Sequence, residues 1–528
     1  MTFSPWRPVL AGIGLIALLA GDMAPPAHAA ENRVQASNLL LYQVGRDPNT
    51  PENDVTRFFD HVQLDYLAGE FRYGLREDLY RTSEAGQVYE NITQKYLEWS
   101  NRNLDVRVGN AYATIGRGLL FRAFELPGIV REVNTITDSK YADSRDLEGA
   151  VVKGRYGRFR IQALTGRPMA YPDNPPGLGF LIRRDGTVSG GHIGVDVGRG
   201  VSVGSGYMRA DGFVFAGDAD RQEYGSFDLA LDGSRLAPAL SAAGWDVRLY
   251  AEYAGRHWTP ITDPFSTVDG NPHALYTSAA LAYDRWSLTY ETKDYRDFSL
   301  AFNDPPNLVP ELTPSLVNRR SHFLIADDER GHLIGLQGAA WRDWTIHYER
   351  ADARTGEDPN RLRYRLNYLE LAGPPLADTR GSIFLAEGRD DLEALAGHKT
   401  IGFSLEQSLP QGFAATGDVE YQQVERPYNE GEPDEVLVSM TVSHAGTGSV
   451  SLVWEQSNDP QLTDDPLTLD IETASRRWLG VIVQGSLNDN HEMGIFVGKR
   501  RGGTACTSGT CYLVPDFEGV EVRLTSRF

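Results

Sequence analysis

The sequence predicts an all-β protein: a single antiparallel sheet of about 24 strands, closed into a barrel that crosses a membrane. Three observations carry this. Apolar and polar residues alternate with a period of two along most of the chain. Beyond residue 29, no stretch is long and apolar enough to span a bilayer as a helix. Tight turns and long connections follow one another in alternation.

Composition removes several classes. The chain has 528 residues, with 51 Lys plus Arg against 72 Asp plus Glu, and a formal charge of −21. A hydrophobic content of 41% is too high for a disordered polymer. Two cysteines cannot staple a chain of this length. The acidic balance argues against nucleic acid as a partner, because phosphates are met by a basic stripe.

Residues 1–29 read as a signal peptide. Arg7 supplies the positive charge, Val9 to Ala20 the apolar run, and Ala27-His28-Ala29 the small residues before cleavage. The run falls short of the ~20 residues a spanning helix needs. Residues 30–528 are then one domain.

Within it, Trp245, Val247, Leu249, Ala251 and Tyr253 share one face, while Asp246, Arg248, Tyr250 and Glu252 share the other. Period two puts the two sets on opposite sides of a sheet. A soluble sandwich and a membrane barrel share this pattern, so strand ends must decide. Trp245 and Tyr253 lie about 26 Å apart along a strand at ~3.3 Å per residue. With the tilt of a barrel strand, that matches the spacing of two aromatic girdles. Both termini belong on one side, which requires an even strand count. Parity then demands strands at Val34–Val44 and at Ser382–Glu387. The count becomes about 24, with a range of roughly 20–26.

The polar face of each strand is assigned to the lumen. That places Arg72, Arg76, Arg107, Arg248, Glu252, Arg363, Arg365 and Glu420 inside. The connection 112–145 is more apolar than an exposed loop should be, notably at Leu119, Leu120 and Phe121. It is expected to fold inward as a constriction and to bring Arg117, Arg122 and Glu125 with it. The other long connections, 295–330 among them, are expected outside.

The last strand ends with Val520, Val522, Leu524, Ser526 and Phe528 on one face. A terminal Phe on such a strand resembles the assembly signal of Gram-negative outer-membrane β-barrels. Along nearly its whole mature length the chain also resembles outer-membrane barrels of a family without assigned function. That resemblance is carried by the signal, by Gly-Arg-Gly-Leu-Leu at 116–120, and by the end from Arg501 through Pro515-Asp-Phe-Glu-Gly-Val-Glu-Val-Arg-Leu to Phe528. It implies a porin-like fold in the cell outer membrane, with the bilayer, lipopolysaccharide and the assembly machinery as partners. It implies no substrate.

Catalytic signals are weak. Gly200-Val201-Ser202-Val203-Gly204 has the spacing of a nucleophile elbow, but it sits in alternating strand rather than at a strand–turn–helix junction. Neither metal-ligand spacing nor a cofactor motif is present. The acidic runs 430–435 and 459–470 read as solvated loop tips. Cys506 and Cys511 are separated by four residues in the loop before the last strand, which suits a structural disulfide in an oxidising compartment. The leading expectation is a channel for small solutes, not an enzyme. The alternative is a non-transporting surface barrel for adhesion or partner docking through its long loops, with a rim hydrolase third.

Overall fold

A computed structural model describes residues 32–528, except 47–53, 84–87, 131–141, 171–181, 214–220, 258–271, 321–327, 357–360, 428–431, 460–475, 508–509 and the single positions 184, 299, 301, 304, 307, 311, 377, 393 and 515. The expected signal peptide, the middle of 112–145 and most of the acidic run 459–470 lie outside the described residues.

Twenty-four antiparallel strands form one closed sheet, from Arg33–Arg46 to Phe517–Arg527. Each pairs with its sequence neighbours. Closure is made by the first and last strands, in register from Ser37 opposite Arg527 to Arg46 opposite Glu518. Backbone hydrogen bonds between Ala36 and Phe528 seal the seam, at 2.8 and 3.1 Å. A closed sheet leaves no edge carrying unpaired N–H and C=O groups, which hydrocarbon would not tolerate. The two strands required by parity are both present, within Arg33–Arg46 and Thr379–Asp390.

Arg33 and Phe528 both lie at the end of the barrel that carries the tight turns. Two of these turns show how sequence sets them. Asp284 and Arg342 adopt φ of 51° and 50° in two-residue links, the left-handed conformation that such hairpins require. Each link is bracketed by a cross-strand aromatic pair, Tyr283 opposite Trp286 and Trp341 opposite Trp344. Trp245 stacks on Tyr283 with centroids 4.6 Å apart. This end therefore carries an aromatic girdle.

The sheet is inverted relative to a soluble protein. Leu385 and Phe403 are 51% and 48% exposed on the outer face, whereas Arg76 and Glu252 on the inner face are each 1% exposed. Trp245 and Tyr253 both point outward, at 39% and 48%. Apolar rows outside and polar groups inside suit a barrel whose outer solvent is lipid. Among the described residues, no helix is long and apolar enough to cross a membrane.

The interior holds two inward segments. Residues 112–125 form a small hairpin in which Thr114 and Ile115 pair with Arg122 and Phe121. Residues 297–320 follow a second path and end in a short helix, Ser315–Asn318. Ile115, Leu119 and Leu120 are fully buried against Met208, Tyr224, Phe298 and Phe302. The expectation that 295–330 lies outside is thus corrected. The signal lay in Leu300, Phe302, Leu308, Leu312 and Leu316, which need apolar cover that an external loop cannot give.

Candidate lumen constriction and vestibule

The Gly-Arg-Gly-Leu-Leu segment is the tip of the first inward hairpin. Gly116 has φ of +60°, and a Cβ there would collide with the Glu252 carboxylate on the opposite wall. The Arg117 N–H donates to Glu252 Oε2 at 2.6 Å. The Tyr250 hydroxyl donates to the same oxygen at 2.8 Å. Leu119 and Leu120 then turn into the apolar cluster above. Asn303, from the second inward segment, donates to the Gly118 and Leu119 carbonyls at 2.8 and 2.9 Å.

The root of the hairpin is polar. Arg76 pairs with Glu125, and the Tyr112 hydroxyl donates to the same carboxylate. Burial, with Glu125 beside it, pushes the Tyr112 phenol up, so it stays a donor. Arg122 lies 4.3 Å over the Phe124 ring.

The second segment is anchored across the barrel. The Ser315 and Leu316 N–H groups both donate to the Glu420 carboxylate at 2.8 Å. Arg320 bonds Gln422 at 3.2 Å and Glu435 at 2.5 Å. Arg501 bridges Glu435 and Glu455 at 3.0 and 2.6 Å. These side chains are almost fully buried, so they are paired rather than solvated.

The other lumen candidates lie as follows. Arg72 bonds Asp65 at 3.0 Å, and Arg107 lies 3.5 Å over the Tyr96 ring. Arg248 pairs with Asp246 at 2.8 Å. Arg76, Arg117, Arg122, Glu125, Glu252 and Glu420 all contribute to the two inward segments or their anchors. Arg363 and Arg365 are a correction. In Leu362–Gly373 the buried positions are Tyr364, Leu366 and Tyr368, packed inward with Leu312 and Val317. Arg363 and Arg365 therefore share the outer face with Leu369 and Leu371. The inward segment makes this stretch of lumen apolar, which reverses the reading of its alternation. Arg320 and Arg501 were missed because nothing in a linear pattern brings loop residues to a wall carboxylate.

Ser202 lies within the strand Val201–Asp211, which continues into no helix, so the elbow geometry is absent there. In the hairpin Gly503–Thr507 and Thr510–Val514, Cys506 stands opposite Cys511 in register.

Below Arg117, toward the tight turns, the lumen opens into a vestibule of about 490 Å³. Small residues such as Ser202, Ala230, Ser278 and Ala280 line its wall, with Tyr250, Tyr276 and Glu291 beside Arg117. On the outer wall, a recess of about 380 Å³ is lined by Arg363, Arg365, Arg389 and Lys399 together with acidic neighbours.

The chain is similar to several solved structures. An E. coli P pilus tip assembly intermediate, PapC-PapD-PapK-PapG, aligns with a TM-score of 0.51 at 10% identity, over 96% of this chain and 62% of that one. The P pilus usher PapC translocation pore gives 0.48 at 10% identity, over 94% and 99%. Pseudomonas aeruginosa OccK5 gives 0.38 at 10% identity, over 75% and 98%. The chain has the fold of a transmembrane β-barrel. Residues 32–208 of this barrel match DUF6029, a family of unknown function. No curated protein matches it.

Proposed function

We propose that this outer-membrane barrel is a gated channel for small solutes, with residues 112–125 and 297–320 as its constriction. The observation that carries the reading is how the hairpin is held. Its tip rests on the wall carboxylate Glu252, directly above a vestibule of about 490 Å³ lined by charged side chains. A purely structural filling would have no reason to end on a charged tip over open space. The role calls for a polar path and placed charges, and for no bond-making chemistry.

The lipid-facing rows and the outward Arg363, Arg365, Arg389 and Lys399 above them suit contact with the bilayer and with lipopolysaccharide phosphates. Phe528, 67% exposed at the seam, suits recognition by the assembly machinery.

The apolar cluster that fills the loop half favours a second reading, a non-transporting surface barrel that docks partners through its long loops. Planar-bilayer recording separates the two. The channel reading expects single-channel steps that enlarge when 116–130 is deleted. No steps from either protein, with folding verified by heat-modifiable gel mobility, leaves the docking reading.

A further inference from the structure

The charges around the vestibule do not all cancel. Arg235 pairs with Asp232 at 3.2 Å, and Arg248 with Asp246 at 2.8 Å. Three charged groups remain. Arg117 is exposed to the lumen, with its guanidinium 5.2 Å from the Tyr250 ring centroid. Glu291 accepts a hydrogen bond from the Tyr276 hydroxyl at 2.8 Å. Asp196 accepts one from the Gly198 N–H at 3.0 Å. All three line the same recess. Among the described residues, none of them meets an oppositely charged side chain within ion-pair distance.

The geometry points to a binding site for a small zwitterionic solute, an amino acid or short peptide. Its carboxylate meets the Arg117 guanidinium and its ammonium meets Glu291, two strands along the wall from Tyr250 beneath Arg117. The assignment rests on the channel reading for its place on a solute path, and names the solute class for that path.

Charge complementarity decides the class. A solute carrying only a carboxylate leaves Glu291 uncompensated. A solute carrying only a cation faces Arg117. A neutral solute leaves both charges to water. A zwitterion satisfies both signs at once, and charge-assisted hydrogen bonds are about twice as strong as neutral ones. The site is also preorganised. Glu252 fixes the Arg117 backbone and the Tyr250 hydroxyl together, so the guanidinium and the ring beneath it share one anchor. Ser202, Ser278 and Ala280 leave the wall open, and the volume of about 490 Å³ lies in the range of small-ligand pockets.

The test is equilibrium binding to the full-length, detergent-purified barrel by titration calorimetry. The probes are alanyl-alanine, acetate and methylammonium. Alanyl-alanine is expected to saturate, with acetate and methylammonium at least about tenfold weaker. Arg117→Gln and Glu291→Gln should each weaken alanyl-alanine about tenfold, Arg117→Lys less, and Arg363→Gln on the outer face not at all. No saturable binding of alanyl-alanine, equal binding of acetate, or indifference to Arg117→Gln in the folded variant overturns the assignment. The wild-type probe series decides the matter even where a variant fails to fold. Binding without bilayer conductance removes the channel reading alone, and conductance without binding removes this inference alone.

Discussion

The backbone N–H of Arg117 and the side chain of Glu252 meet at 2.6 Å although 135 residues separate them in sequence. The contact ties the inward hairpin to the far wall, and Gly116 is the residue that permits it. Gly116→Ala adds a Cβ at positive φ and drives it into the carboxylate. Local strain of ~1–3 kcal/mol follows, against a barrel whose strand ladder is untouched. The expected outcome is a folded protein with a released tip and a larger single-channel conductance. Wild-type conductance together with wild-type protease resistance across 112–125 would count against the anchor.

The second segment hangs on charges. Glu435 serves both Arg320 and Arg501. Glu435→Gln leaves those guanidinium groups buried and short of a counter-charge, which costs ~3–5 kcal/mol. The cost falls on residues 312–320 rather than on the strands. Hydrogen exchange should therefore speed up at Ser315 and Leu316 and stay slow in Phe413–Glu425. Glu420→Ala, which removes the acceptor of both N–H groups, should do the same. Uniform loss of protection through the wall strands would show that the segment is integral to the barrel and not a movable element.

The outer face makes a contrasting prediction. Leu385 stands in register between Leu369 and Ile401, near the middle of its strand. Leu385→Arg should cost ~2–4 kcal/mol, the range for a cation at the bilayer midplane. Its readout is a lower urea midpoint in vesicles. Arg363→Ala with Arg365→Ala should leave the reversal potential under a salt gradient unchanged, because both side chains lie outside the lumen. A shifted reversal potential would return them to the inner face.

Where the alternation could be read and where it failed has a single cause. Period two fixes which residues share a face, so Trp245 and Tyr253 were legible as lipid-facing and Arg248 and Glu252 as lumen-facing. It does not say what fills the lumen. In Leu362–Gly373 the lumen is lined by Leu312 and Val317 from a distant connection, so Tyr364 and Tyr368 point inward and the arginines outward. The apolar run at Leu119–Phe121 could be read as needing cover. The run from Leu300 to Leu316 carries the same signal, diluted by prolines at 305, 306, 310 and 314. The anchors Glu252, Glu420 and Glu435 were visible only as polar positions, because their partners come from segments without periodicity.

The remaining prediction concerns the loop before the closing strand. Cys506 and Cys511 face each other across the antiparallel ladder of their hairpin. Directly opposed residues in such a ladder have Cα atoms ~4.5–5.5 Å apart, within the span a disulfide bridges. We therefore expect the mature protein to carry this bond, seen as a mass lower by two hydrogens that is restored by reductant. The closed ring is short, so chain-entropy reasoning gives only about 2 kcal/mol, confined to the hairpin. Cys506→Ser with Cys511→Ser should leave the melting temperature of the barrel unchanged while raising protease cleavage between residues 503 and 514. A barrel that fails to assemble without the pair would mean that the hairpin guides closure of the last strand onto the first.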